Sequence, residues 1–137
     1  MKKTVSQLGS FNYRPEYYTA FIEMCWGLII ANPYGDEFNS FPAVFSPMKS
    51  ICNYESVWGL FYFFIGVIAI LAVRSGTLTF RKYSSLLLSL SFFSKSVLFY
   101  LGDGIHPGVT TYAIIALFHL QSFIVFMNED KNNKNNK

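Results

Sequence analysis

The chain has 137 residues and a formal net charge of +3, with 52% hydrophobic, 19% aromatic and only 14% charged residues. Soluble domains carry roughly 25% charged residues, so this composition predicts a membrane protein. The basic residues gather at the ends of apolar segments rather than along one face, which matches anionic lipid headgroups and argues against a nucleic-acid partner.

Four apolar segments predict an all-α integral membrane four-helix bundle that forms a single domain over residues 1–127. The spans are predicted at residues 17–31, 56–73, 83–101 and 109–127. A polar lead (residues 1–16) should lie at the membrane interface, and the Asn- and Lys-rich tail (residues 128–137) should be disordered. The first span is short for a hydrocarbon core of about 30 Å. The third span is rich in serine, which favours a central position because small hydroxyl residues let helices approach closely.

The connection between the first two spans is too apolar for a solvated loop and is predicted to lie on the membrane surface. Within it, Ser46-Pro47 predicts the start of a helix that continues directly into the second span. The basic residues predict the orientation. Lys49 stands by itself on one side of the membrane, and nine bases lie on the other: Lys2, Lys3, Arg14, Arg74, Arg81, Lys82, Lys131, Lys134 and Lys137. Both termini are therefore expected in the cytoplasm, with the protein in the cell inner (cytoplasmic) membrane.

One motif, E-x-x-W-G-L, occurs twice, at residues 23–28 and 55–60. On a helix, positions i, i+3 and i+4 share a face. We expect Trp26 and Trp58 to pack or to anchor at the interface, and Gly27 and Gly59 to leave notches for neighbouring helices.

Ionisable residues inside the predicted spans form the candidate site. At about 1.5 Å per residue, Glu23 lies about 12 Å, Lys95 about 9 Å and His119 about 15 Å below the outer boundary. A carboxylate among lipid tails requires a partner. We therefore expect Glu23 to pair with Lys95, with His119 or Gln121 completing the hydrogen bonds, and reversal of both charges to restore a fold that either single reversal loses. The cluster is either a structural ion pair or a proton relay.

The sequence contains no recognisable catalytic, metal or cofactor motif, and it predicts neither enzymatic activity nor a bound cofactor or metal. We expect an interaction protein that packs against lipid and against another membrane protein or a second copy of itself. A pore-forming protein of the holin type is one alternative. A redox or transport subunit that resembles DoxX-type proteins in layout is another.

The motif copies and the segment between them carry a family resemblance. Glu23-x-x-Trp26-Gly27-Leu28 precedes Asn32-Pro33 and an aromatic, proline-bearing loop, and Glu55-x-x-Trp58-Gly59 then opens the second span. This arrangement resembles that of uncharacterised small four-span membrane proteins found in phage and prophage-bearing bacterial genomes. The resemblance implies the four-span layout and implies no activity.

Overall fold

The computed structural model describes residues 15–135, apart from the side chains of Pro15 and Lys134. This part of the chain is all-α, as predicted. Its six helices are α1 Pro15–Ile30, α2 Glu37–Ser40, α3 Pro42–Ile51, α4 Glu55–Ser75, α5 Leu78–Asp103 and α6 Pro107–Asn135. The predicted lead lies outside the described residues as far as residue 14.

Three helices are long and apolar enough to cross a membrane: Glu55–Ser75, Leu78–Asp103 and Pro107–Asn133. They indicate a multi-pass membrane protein. Helix α1 has 16 residues. At 1.5 Å per residue its length is about 24 Å, less than the roughly 30 Å of a hydrocarbon core.

Helices α1 and α4 form an antiparallel pair whose close contact depends on glycine. A Cβ atom added to Gly27 would overlap the backbone of Phe63 and lie 2.6 Å from the carbonyl oxygen of Gly59. At the other end of the contact, a Cβ atom on Gly66 would lie 2.6 Å from the carbonyl oxygen of Ala20. A Cβ atom on Gly59 would likewise overlap Ala31. Side chains at Gly27 and Gly59 would therefore separate the two helices, which accounts for the glycine in both copies of the motif.

Helices α5 and α6 form the second antiparallel pair, held by α5 side chains at seven-residue intervals. Ser96 Oγ donates to the Val109 carbonyl (2.9 Å), Ser89 Oγ donates to the Ala116 carbonyl (2.8 Å), and Lys82 Nζ contacts the Asp130 carboxylate (3.0 Å). Helix α5 also contacts α1, α3 and α4, so the serine-rich helix is central to the bundle. Its hydroxyl groups bind neighbouring backbone across the interface.

The two pairs enclose two apolar core clusters. The first contains Ala20, Ile65, Ala69, Leu88, Phe92 and Ala116. The second contains Ile30, Phe38, Phe45, Met48, Tyr62 and Phe99. Because Phe38, Phe45 and Met48 come from α2 and α3, these short helices cover one end of the bundle.

The connection between α1 and α4 differs from the prediction. Helix α3 starts at Pro42 rather than at Ser46, and it ends at Ile51, so it does not continue into α4. Pro47 lies inside α3 and lacks the N–H that would bind the Ala43 carbonyl. Ser46 Oγ donates to that carbonyl instead (3.2 Å). Ser46 therefore satisfies a carbonyl inside the helix and is not its N-cap.

The tail also differs from the prediction. Residues 128–135, expected to be disordered, continue α6 as helix. The Lys82–Asp130 ion pair ties this extension to α5, and both side chains are mostly buried (12% and 20% exposed). An isolated Asn- and Lys-rich segment has no such partner, so its composition did not reveal the helix. Residues 136–137 lie outside the described residues.

Candidate functional site

The most buried ionisable groups of the described chain lie between the two helix pairs. Glu23 on α1 is 0% exposed and Lys95 on α5 is 1% exposed. Lys95 Nζ donates to Glu23 Oε2, and Ser91 Oγ donates to Glu23 Oε1. We call Glu23, Ser91 and Lys95 the buried polar cluster. Because both carboxylate oxygens have donors, the charge of Glu23 is compensated inside the bundle.

Aromatic rings surround the ammonium group of Lys95. Its Nζ atom lies 4.2 Å from the ring centroid of Tyr62, 4.8 Å from Phe92, 5.8 Å from Trp26 and 5.9 Å from Tyr112. The negative faces of aromatic rings attract a cation, and most strongly where water is excluded. The rings therefore favour a cation at this position.

More aromatic side chains separate the buried polar cluster from the end of the bundle that α2 and α3 cover. The ring of Trp26 lies 5.9 Å from Phe99 and 6.5 Å from Phe45, and the rings of Phe45 and Phe99 are 5.6 Å apart. Phe38 stacks on Phe45 (5.5 Å). Bulky rings therefore lie between Lys95 and this end of the bundle.

His119 is buried next to the cluster but is not the hydrogen-bond partner that the sequence suggested. Its Nε2 atom is 2.7 Å from Thr19 Oγ1, and its ring stacks on Phe92 with a centroid distance of 6.1 Å. Its Nδ1 atom is buried without a hydrogen-bond partner among the described residues. Ser91 takes the place predicted for His119 or Gln121, and the serine spacing on α5 was the signal that could have revealed it.

Gln121 does not belong to the cluster at all. Its side chain is exposed, whereas Ala116 and His119 on the same helix are buried. At 100° per residue, Gln121 projects from the face of α6 opposite to the bundle core. The prediction that it completes the Glu23–Lys95 pair is therefore corrected.

A second ion pair, missed in the sequence, ties α1 to α5 nearer the start of both helices. Arg81 Nη2 is 3.1 Å from Glu16 Oε1, and both side chains are largely buried (14% and 8% exposed). The Arg81 guanidinium also lies 4.5 Å from the ring centroid of Phe126. Glu16, Thr19 and Glu23 are spaced three and four residues apart, so they form one polar row along α1 that faces the other helix pair.

The second motif copy has a different role from the first. Glu55 is half-buried at the start of α4, where its Oε1 atom accepts a hydrogen bond from Phe38 N (2.7 Å) and its Oε2 atom accepts one from Glu37 N (3.3 Å). Helix α2 has no side-chain cap from its own Asp36, and Glu55 supplies one. Trp58 Nε1 donates to the Cys52 carbonyl (3.1 Å), which fixes the connection between α3 and α4.

A polar cleft of about 410 Å³ lies beside Glu55, between the end of α1, helix α2 and the start of α4. Its charged lining residues are Asp36, Lys49 and Glu55. Lys49 Nζ is bound to Asn39 Oδ1 (3.0 Å), and Asn39 Nδ2 is bound to Asp36 Oδ2 (2.9 Å). The cleft shares no residue with the buried polar cluster, and three of its side chains, Asp36, Asn39 and Lys49, bind one another.

The described residues contain no group of three or more His, Cys, Asp or Glu side chains that could hold a metal ion. Cys25 and Cys52 are both free. No protein-family model, curated protein or solved structure matches the chain. The resemblance to four-span proteins of phage and prophage-bearing genomes therefore stays a prediction.

Proposed function

We propose that α1 is a fourth membrane span and that both termini face the cytoplasm of the cell inner membrane. The buried polar cluster supports the span, because pairing Glu23 with Lys95 lays α1 alongside α5, a helix that can itself cross a membrane. The nine-to-one distribution of basic residues supports the orientation. Accessibility of single introduced cysteines to a membrane-impermeant reagent tests it, in a chain with Cys25→Ser and Cys52→Ser: a cysteine at Tyr34 should react from outside the cell and one at Gly76 should not.

We further propose that the protein acts by binding membrane helices rather than by catalysis. The uncovered surface of α6 carries this proposal. Only 22% of the apolar stretch of α6 is buried inside the bundle, whereas the corresponding share is 39% for α4 and 44% for α5. The buried polar cluster, in contrast, is enclosed by the chain's own rings and helices. The surface that this protein offers within the membrane is therefore a helix face, suited to another helix.

Photo-crosslinking of the full chain in native membranes tests this function. A benzophenone amino acid at Leu117 on α6 (64% exposed) should form a protein adduct of defined mass. The same group at Phe64 on α4 (56% exposed) is the matched control and should label mainly lipid. If neither position yields a protein adduct, the proposed function is wrong.

A pore-forming function of the holin type fits the structure less well. The face of α4 that points into the bundle is formed mostly by glycine, alanine and branched apolar residues, together with Tyr62. Such a face does not line an aqueous pathway. Controlled expression separates the two proposals, because a pore former should abruptly collapse the membrane potential and a helix-binding protein should leave it unchanged. A redox or transport subunit would instead co-purify with quinone, haem or substrate.

A proton relay is a second candidate function, and one observation favours it. Three polar contacts follow one another along α1, because Glu23 binds Lys95, Thr19 binds His119 and Glu16 binds Arg81. Groups of these kinds carry protons in membrane proteins. Purified protein in liposomes with an internal pH dye tests the relay. Proton flux that Glu23→Gln abolishes would support it, whereas the helix-binding function predicts no flux from either protein.

A further inference from the structure

The described residues give the side-chain amide of Gln121 no hydrogen-bond partner. It is exposed on α6, about 18 Å along the axis from Val109 and about 9 Å from Met127, the predicted limits of the span. The side chain therefore reaches lipid tails, where neither its amide donors nor its carbonyl acceptor finds water. Polar side chains on such faces bind other helices in membranes.

The residues around Gln121 form a regular stripe on the outward face of α6. Its members follow one another at alternating intervals of three and four residues: Ile114, Leu117, Gln121, Ile124 and Asn128. All five are exposed. We call them the outward stripe. Apolar residues at a 3.5-residue average spacing are the pattern by which two parallel helices interlock, and one polar residue within the pattern sets their register.

A groove next to Gln121 offers space for a side chain from another helix. It measures about 220 Å³ and is lined by Phe118, Gln121, Ser122, Val125 and Phe126. Ser122 Oγ donates its hydrogen to the Phe118 carbonyl within the helix (3.1 Å), so it offers a partner only an acceptor. Of these lining residues, Gln121 belongs to the outward stripe, and its amide offers a partner both donors and an acceptor.

We propose that the outward stripe of α6 binds the same stripe of a second copy of this chain, with the two Gln121 amides hydrogen-bonded to each other. An amide has both donors and an acceptor, so it complements an identical group. Copies that insert in the same orientation can be related by a two-fold axis along the membrane normal, and this symmetry places identical residues opposite one another. The inference rests on the proposed helix-binding function and names its partner.

The charge distribution limits the extent of this interface. Asn128, another self-complementary amide, continues the stripe at the end of the predicted span. The next position in the pattern is Lys131, which is exposed and would bring two like charges together. We therefore expect the two α6 helices to diverge beyond Asn128.

Disulfide crosslinking in native membranes locates the contact. In a chain with Cys25→Ser and Cys52→Ser, we expect Leu117→Cys and Ile124→Cys to form covalent dimers under mild oxidation. Leu120→Cys is the matched control, because Leu120 is exposed on the same helix but lies outside the outward stripe. Equal dimer yields at Leu117 and Leu120, or no dimer at Leu117 and Ile124, would overturn the proposal.

Energy transfer between labelled copies in liposomes measures the contribution of the amide. Gln121→Leu should weaken self-association about tenfold, which corresponds to about 1.4 kcal/mol, because the hydrogen bond between the copies is lost. Gln121→Asn should retain most of the association, and Ser122→Ala should leave it unchanged. Association that is unaffected or strengthened by Gln121→Leu contradicts the proposed role of the amide.

The failure of this inference can be distinguished from the failure of the proposed function. If the photo-adduct at Leu117 contains a different protein and purified copies do not associate, helix binding stands and the second copy is wrong as the partner. If Leu117 gives no protein adduct and the copies do not associate, both proposals fail. An adduct with the mass of two copies supports both.

Discussion

The two copies of E-x-x-W-G-L have the same motif residues but stabilise the fold at different depths. In the first copy, Glu23 is fully buried and pairs with Lys95, and Trp26 borders the same site. In the second copy, Glu55 caps helix α2 and Trp58 holds the connection before α4. The glycines have the same role in both copies, since Gly27 and Gly59 lie against each other. The depth of each copy in the bundle therefore determines the role of its carboxylate and indole. The close contact between α1 and α4 requires the glycine in both copies.

The largest difference between the copies should appear when each carboxylate is neutralised. Glu23→Gln leaves Lys95 charged and unpaired in the bundle, so we expect the free energy of unfolding to fall by about 3–5 kcal/mol. The double variant Glu23→Gln with Lys95→Met should lose far less, because no buried charge remains. Unfolding in mixed detergent micelles measures both. A double variant that is as unstable as the single variant would contradict a structural ion pair.

The aromatic surroundings of Lys95 also alter the expected result of charge reversal. Lys95 Nζ lies within about 6 Å of four ring centroids, and exchanging the two charges puts a carboxylate on a residue whose surroundings favour a cation. We therefore expect Glu23→Lys with Lys95→Glu to recover part of the folded protein that either single reversal loses. Full recovery would show that the rings contribute little to the site.

The shared role of the glycines is tested by adding one methyl group. Gly27→Ala should reduce the free energy of unfolding by about 1–3 kcal/mol, since the new Cβ atom would overlap the backbone of Phe63 on α4. Gly35→Ala is the control, because its Cβ atom would lie 3.5 Å from the Asn32 carbonyl oxygen, an ordinary contact. Equal effects at both positions would contradict a close contact between α1 and α4.

Neutralising the second carboxylate should have a smaller and local effect. Glu55→Gln removes the charge that strengthens the hydrogen bonds from Glu37 N and Phe38 N, and we expect a loss of about 1 kcal/mol. Hydrogen exchange should become faster at the Phe38 amide and stay unchanged at amides in the middle of α4. Faster exchange throughout the bundle would mean that Glu55 stabilises more than α2.

Replacing the second indole should have a similarly small effect. Trp58→Phe keeps a ring and removes the Nε1 hydrogen bond to the Cys52 carbonyl, so the free energy of unfolding should fall by about 0.5–1.5 kcal/mol. Trp26→Phe should cost more, because Trp26 packs among Phe45, Phe99 and Tyr112 next to Lys95. A larger loss at Trp58 than at Trp26 would reverse the comparison.

The part of the candidate site that the sequence predicted is the ion pair, which joins two opposite charges on different helices. A Glu and a Lys at similar depth in apolar helices have few other partners, so the contact between Glu23 and Lys95 could be anticipated. The sequence was not used to predict the partner Ser91, although its spacing from Lys95 was a signal, and it did not reveal the pair Glu16–Arg81, since several bases lie at equivalent helical positions. Gln121 was misplaced because the number of residues along a helix gives depth, whereas the direction of a side chain depends on how the helix is rotated in the bundle.

Composition and apolar segment length by themselves determined that the chain is all-α and suited to a membrane, because backbone hydrogen bonds must be satisfied internally among lipid tails. The tertiary structure decided which helices pair, why α6 continues beyond its apolar segment, and which face of α6 stays uncovered. These features depend on contacts between residues far apart in the chain, such as Gly27 with Gly59 and Lys82 with Asp130. Local sequence carries the free-energy preference for a helix, whereas the identity of its neighbours is settled only when all helices pack together.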